Sequence, residues 1–175
     1  MASEEISDTT PDWSREFCRG YWDPGRRLLR SIRQYQKWTS RGPLLRWISR
    51  YWVFQHRFWS VVSGADIPIC CKIGGGLLLT HPNGVVIHPA SIIGVNCLIF
   101  QQVTIGTGGP QPGAPTIGGH VDVGAGAKIL GGVTIGNHAR IGANAVVLQD
   151  VPEGATAVGI PARIIKGATK LSGAV

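Results

Sequence analysis

Residues 117–147 read IGGHVDVGAGAKILGGVTIGNHARIGANAVV, and their spacing decides the fold. Every sixth residue is Ile117, Val123, Ile129, Ile135, Ile141 and Val147, all β-branched and aliphatic. Gly118, Gly124, Gly136 and Gly142 follow four of them. A period of six matches neither the 3.6 of a helix face nor the 2.0 of a half-buried strand. It matches short parallel strands stacked as rungs of a solenoid, each turning a corner within one repeat. The β-branched side chain points inward onto its copies one coil away. The small residue beside it suits a corner, where a Cβ would crowd.

The comb reaches upstream through Ile67, Ile73 and Leu79, slips by two residues across 80–86, and resumes at Ile87, Ile93, Ile99 and Ile105. A second interruption, TGGPQPGAP at 107–115, leaves the comb in phase and reads as a loop pushed out of the coil. Three six-residue faces make an eighteen-residue coil, so the body should hold about five coils. The fold class is mainly β, a parallel solenoid with a short α-helical region before it. The expected division is a disordered acidic tail at 1–12, a helical region at 13–63, the β body at 64–165 and a tail at 166–175. Solenoids leave open ends. The helices should cover one end, and the tail from Pro152 should fold back along the other, with GIPAR at 159–163 as a turn into a closing strand.

The 175 residues suit one domain with a short extension, and the 25 Gly cluster where the repeat needs them. No apolar run approaches the ~20 residues of a membrane span and no signal sequence opens the chain, so the expected compartment is the cytoplasm. Cys18, Cys70, Cys71 and Cys97 have neither metal-site nor disulfide-framework spacing and read as small reduced core or corner residues. The net charge of +7 is uneven. Residues 1–14 hold four acids and no base, whereas residues 15–60 hold eleven Arg or Lys against Glu16 and Asp23.

Between Trp13 and Ser63 the period is helical. Leu28, Leu29, Ile32 and Tyr35 share one face, and Leu45, Ile48, Trp52 and Trp59 share another. Pro43 is placed to open the second helix. All six Trp fall here, interleaved with Arg. Two readings stay open. The aromatics pack on the side of the β body and bury its first coil, which is preferred, or they form a membrane-interface helix that holds the chain at the inner face of a membrane.

The comb, with Ala65-Asp66-Ile67, Lys72-Ile73-Gly74, Leu79-Thr80-His81, residues 84–87, residues 102–106 (QVTIG), GAGAKILG at 124–131, Ile141-Gly142-Ala143 and VGIPARI at 158–164, resembles the hexapeptide-repeat acyltransferases. Within them it looks most like the serine O-acetyltransferases. The resemblance implies a left-handed parallel β-helix, a homotrimer, and acetyl-CoA as co-substrate in the groove between neighbouring subunits. It implies that His81 is the general base for an acceptor hydroxyl, with Asp66 as the carboxylate paired to it. The residues themselves agree. His81 sits where the comb slips, at a bulge that would aim it out of the coil, and Asp66 lies fifteen residues earlier, near the preceding coil. For CoA the resemblance points to Gly106, Thr107, Ala125 and Ala143, and to Arg163 and Lys166 near the phosphates. His88, His120 and His138 read as surface corner residues, and no metal is expected.

Two departures bear on the acceptor. Serine acetyltransferases carry an Asp before the catalytic His, where this chain has Thr80. They also carry an Arg-His pair in the loop that here reads Gly113-Ala114-Pro115, two residues shorter and without charge. Thr80 and Ala114 are the acceptor-side candidates. Each lost charge-assisted bond to a zwitterionic amino acid costs about 1.5–3 kcal/mol. A neutral sugar hydroxyl in surface polysaccharide biosynthesis is therefore the alternative to serine as acceptor. A catalytically silent scaffold is the non-enzymatic alternative, and nucleic-acid binding ranks last for want of a motif.

Overall fold

The computed structural model describes residues 6–41 and 46–165, except the side chain of Arg46. The expectations placed on Pro43, Leu45, Lys166 and the 166–175 tail therefore lie outside the described residues. A short 3-10 helix (Trp13–Glu16) precedes α1 (Pro24–Thr39) and α2 (Arg46–Ser63). Fourteen short strands follow: β1 (Lys72–Ile73), β2 (Leu78–Leu79), β3 (Val86–Ile87), β4 (Ile92–Ile93), β5 (Leu98–Ile99), β6 (Thr104–Gly106) and β7 (Thr116–Ile117). Then come β8 (Asp122–Val123), β9 (Lys128–Leu130), β10 (Thr134–Ile135), β11 (Arg140–Ile141), β12 (Val146–Val147), β13 (Thr156–Val158) and β14 (Arg163–Ile165).

They stack into three sheets. One runs β1-β4-β7-β10, a second β2-β5-β8-β11-β13-β14, and a third β3-β6-β9-β12. Every pairing is parallel except β13 with β14, which turns back and closes the C-terminal rung. This gives four full coils and a further rung on each face, the bridges Asp66 to Val86 and Val151 to Ile135 extending the other two sheets, close to the expected five. Along each parallel strand the comb residue is buried and its predecessor is turned outward. Ile87, Ile105, Ile129 and Val147 stack in register in the third sheet, all at 0–1% exposure. A second interior row supplies the filler: Val85, Cys97, Val103, Val121, Ala127, Val133, Ala139 and Ala145 are all fully buried. Cys71 and Cys97 belong to that row. Burial pushes their thiols up to about 12 and about 11, so both are inert packing residues. At one corner column, a Cβ on Gly74 would sit 2.6 Å from the Gly94 backbone of the next coil, so the close approach demands glycine.

The first rung would expose a row of free carbonyls, and the helices cover it. Leu28, Leu29 and Ile32 on α1 are buried against it. Around this apolar contact, polar side chains cap the edge. Arg33 donates to the carbonyls of Ile73 and Gly74, Gln36 to those of Ile69 and Cys71, and Ser60 to that of Ala65. His56 Nε2 lies 2.8 Å from the carbonyl oxygen of Ile67. Arg33 also pairs with Glu16 at 2.8 Å, whose Oε1 accepts from the amides of Gly76 and Leu77. With its hydrogen bonds complete, this nearly buried pair is compensated for desolvation.

Two expectations change here. Residues 6–12 are not a free tail. Asn96, almost fully buried, donates to the carbonyls of Ser7 and Thr10 and accepts from the amide of Asp12, while Asn137 donates to Asp8. The segment is a strap across one corner of the solenoid. The preferred placement of the aromatics also fails for most of them. Trp59 is buried, but Trp13, Trp22, Trp47, Phe17, Tyr21, Tyr51, Phe54 and Phe58 remain exposed.

That strap ends at an unforeseen histidine pair. His120 and His138 stand one coil apart at the same corner, with Nδ1 atoms 2.8 Å apart and rings edge to face. Reading them as isolated corner residues missed their spacing of eighteen, one full coil. Two facing Nδ1 atoms can share only one proton, so the arrangement needs at least one neutral ring. Burial lowers the pKa of His120, against the opposing pull of Asp122 and with help from His138, Arg15 and Arg140. Between that lowered value and the ordinary 6.5, the unfolded chain binds a proton that the folded chain refuses. Stability therefore rises with pH through that window, and it falls as pH drops from 6.5. Thermal unfolding followed from pH 7.5 to 5 should show a declining midpoint. His120→Asn, which tolerates the left-handed backbone at φ 51°, should flatten the decline. The carboxylates of Asp12 and Asp23, both held below their ordinary value, lose their contribution only at lower pH.

Candidate functional site

Strand register locates the two irregularities of the comb. Leu79 pairs with Ile99 and Val86 with Thr104, so seven steps in the first coil do the work of five in the next. The two extra residues bulge from the corner that leads into the third sheet, and His81 rides on that bulge, exposed. At the opposite edge of the same sheet, Ile105 leads to Thr116 in eleven steps, whereas Ile129 leads to Thr134 in five. The six extra residues equal one repeat, which is why the 107–115 loop leaves the comb in phase. Both departures thus border one face, the outer side of β3-β6-β9-β12.

The bulge is braced from below. Gln102 donates from its amide to the carbonyl of Asn83 and from Nε2 to Asn83 Oδ1. Gly84 has φ +70°, and a Cβ there would meet the Gln102 amide at 2.5 Å. Its left-handed backbone favours glycine, whereas the Gln102 amide is the end of a flexible side chain that could move aside. From above, Gly25 of α1 packs on Leu79 and Pro82. Lys128 donates to the carbonyl of Gln102 and to Thr104 Oγ1, which ties its ammonium to the middle of the face. Asn83, Gln102 and Lys128 were not singled out from the sequence. Only the coil spacing, which sets residues 83 and 102 on adjacent corners, could have signalled the brace.

Asp66 forms a parallel bridge with Val86, so it heads the outward column Asp66, Val86, Thr104, Lys128, Val146. It therefore lies on the preceding rung, one column from the bulge that carries His81. Among the described residues no hydrogen bond joins the two side chains. Thr80 is exposed beside His81 on the bulge, while Ala114 sits across the face in the loop. Ala125 and Ala143 stack on the bulge side, where the amide of Asn144 donates to the carbonyl of Ala125. Gly106 and Thr107 lie at the loop edge, four to five residues away, or roughly 15 Å at about 3.3 Å per residue. The candidate set is thus divided between the two edges of the face. Gly106 is unlike the corner glycines, because a Cβ there would meet only His88 Cβ, at an ordinary 3.7 Å. Packing of a Cβ within the chain does not by itself call for glycine at that position, and Gly106 is buried. Arg163, exposed on β14, pairs in register with Val158.

A family model described as bacterial transferase hexapeptide (six repeats) matches residues 114–149. A serine acetyltransferase of Synechococcus elongatus is 42% identical over 127 residues, which cover 66% of this chain and 52% of that protein. The chloroplastic serine acetyltransferase 1 of Arabidopsis thaliana is 50% identical over 104 residues, covering 58% of this chain and 33% of its own length. Among solved structures, a serine acetyltransferase in complex with CoA superposes with a TM-score of 0.68 at 36% identity, covering 82% of this chain and 57% of that one. The chain thus spans about half the length, or less, of these curated relatives.

Proposed function

We propose that the chain is an acetyl-CoA-dependent O-acetyltransferase of the serine acetyltransferase kind. The observation that carries this is the two-residue bulge at the edge of the third sheet, which lifts His81 out of an otherwise regular coil. A solenoid with no chemistry to perform has no need to break its comb there and brace the break with Asn83 and Gln102. The named relatives add support, since serine acetyltransferases share this fold and one was solved with CoA.

In this reading His81 takes the proton of the acceptor hydroxyl as its oxygen attacks the thioester carbonyl carbon. The C–S bond then breaks, and the thiolate of CoA leaves and is protonated. Asp66, on the preceding rung and not hydrogen-bonded to His81, acts through its charge, which favours the protonated imidazole. Gly106, Thr107, Ala125 and Ala143 offer small side chains and main-chain groups along which the pantetheine arm can lie, and Arg163 and Lys166 meet its phosphates. The two edges of the candidate set complete one another across neighbouring copies, which fits a cytoplasmic homotrimer with sites between subunits.

The acceptor follows from charge. Thr80 and Ala114 give an amino acid no ionic partner, and the 107–115 loop holds no ionisable side chain. This favours a saccharide hydroxyl as the second reading. Thiol release from acetyl-CoA, measured with serine and with a panel of sugars, decides between them. Turnover with serine at a KM no higher than for the best sugar would overturn the saccharide reading. No turnover with any acceptor, together with no acetyl-CoA binding at millimolar concentration, would overturn the enzyme.

A further inference from the structure

α2 carries an exposed stripe that nothing among the described residues covers. Trp47, Tyr51, Phe54, Phe58 and Val61 recur at alternating steps of four and three, and they are 70, 54, 66, 47 and 83% exposed. At 100° per residue they occupy one band about 80° wide, and Arg50 and Arg57, both exposed, line one margin of it. The stripe continues onto the segment before α1. Phe58 meets Trp59 at 5.0 Å and Trp59 meets Trp22 at 6.0 Å, with exposed Tyr21 alongside.

Beside the stripe is a small cavity of about 140 Å³, lined by Arg27, Arg30, Tyr51, Trp52, Gln55 and Trp59. Tyr51 belongs to both features. Arg27 lies over the rings of Tyr21 and Trp59 at 5.5 and 5.2 Å, and its buried Nε has no hydrogen-bond partner. Among the described residues, Arg30, Arg50 and Arg57 have no acidic partner. An orphaned guanidinium N–H in a cavity with a second arginine suits an anionic group such as a phosphate.

We propose that this surface docks on an anionic phospholipid membrane, with a headgroup phosphate seated at Arg27 and Arg30 and the aromatic stripe lying in the interface. Aromatic residues on one face and arginines at its margin are the arrangement that holds a helix in the plane of a bilayer. Charge argues against a second copy as the occupant. α2 contains no acid, so two stripes packed together would bring the arginines of both copies into one contact with nothing to offset them. The inference does not rest on acetyl transfer.

Flotation of the full chain with vesicles of phosphatidylglycerol and phosphatidylcholine tests it, with pure phosphatidylcholine as comparison and thiol release with a soluble acceptor as a separate readout. The wild-type chain is expected to float with the anionic vesicles, at least tenfold more weakly with neutral ones, and to be released by salt. Phe54→Ser with Phe58→Ser, and separately Arg50→Gln with Arg57→Gln, should each lower partitioning roughly tenfold or more while leaving thiol release unchanged. Arg30→Gln, on the cavity rim, should do the same. No flotation, equal flotation with neutral vesicles, or unchanged flotation of the variants would overturn the proposal. So would a lipid-free oligomer that Phe54→Ser with Phe58→Ser reduces in mass, which would make the stripe a contact between copies.

Discussion

His81→Ala should remove about 10²–10⁴ of the turnover rate while acetyl-CoA binding stays near wild type. The side chain sits on a bulge, exposed, and makes none of the described hydrogen bonds that hold the coil. Its removal therefore leaves the fold intact. The brace under the bulge runs between Asn83 and Gln102, which the substitution does not touch. What disappears is the base. The hydroxyl must then lose its proton to water as it attacks, and that lost proton transfer sets the size of the effect. Thiol release measures turnover, and the change in thermal midpoint with acetyl-CoA measures binding. Turnover that survives the substitution would leave the bulge without a chemical role, whatever the relatives do.

The fold was legible because the signal is translational. Each rung repeats the same choice, an inward β-branched residue with a small neighbour, so a row such as Ile87, Ile105, Ile129 and Val147 announces itself every coil. The candidate site drew notice for the opposite reason. A repeat makes its own interruptions visible, and the slip before Val86 pointed to His81. Features that bind unlike segments left no such trace. The Asp8 strap reaches Asn137 across 129 positions, and neither residue type is unusual where it stands. Arg33 and Gln36 look like the solvated side of an amphipathic helix, yet they cap the carbonyl edge of the first rung. Helical periodicity showed that α1 has an apolar face. It could not show that the borders of that face would be spent on backbone groups. For α2 the face named by the periodicity does turn inward, with Trp59 buried and Ile48 and Trp52 half-buried. The second stripe, with Trp47, Phe54 and Phe58 on the other side of the helix, was not read, because apolar residues at helical spacing look the same in sequence whether they face a core or solvent.

Ile129→Asp should abolish the folded state. Ile129 is fully buried, in register between Ile105 and Val147. A carboxylate there has no partner, since its neighbours in the interior row are Ala127, Val103 and Ala145. Loss of the packed side chain alone costs about 2–5 kcal/mol, and burial of an unpaired polar group adds a comparable penalty. The sum rivals the whole stability of an ordinary domain. The solenoid sharpens the outcome because each coil touches only its neighbours. A broken rung at β9 severs the first two coils, which hold Asp66, His81 and Gly106, from the later one that holds Ala143. Acetyl-CoA binding should therefore vanish together with structure. Thr116→Ser is the control, one position before a comb residue and facing solvent on β7. The change there should cost no more than the ~0.5 kcal/mol usual for surface sites. Circular dichroism at 25 °C and thermal melting of the two variants distinguish them. A folded Ile129→Asp chain would mean that the six-residue comb does not mark the interior, and every assignment built on that register would fall with it.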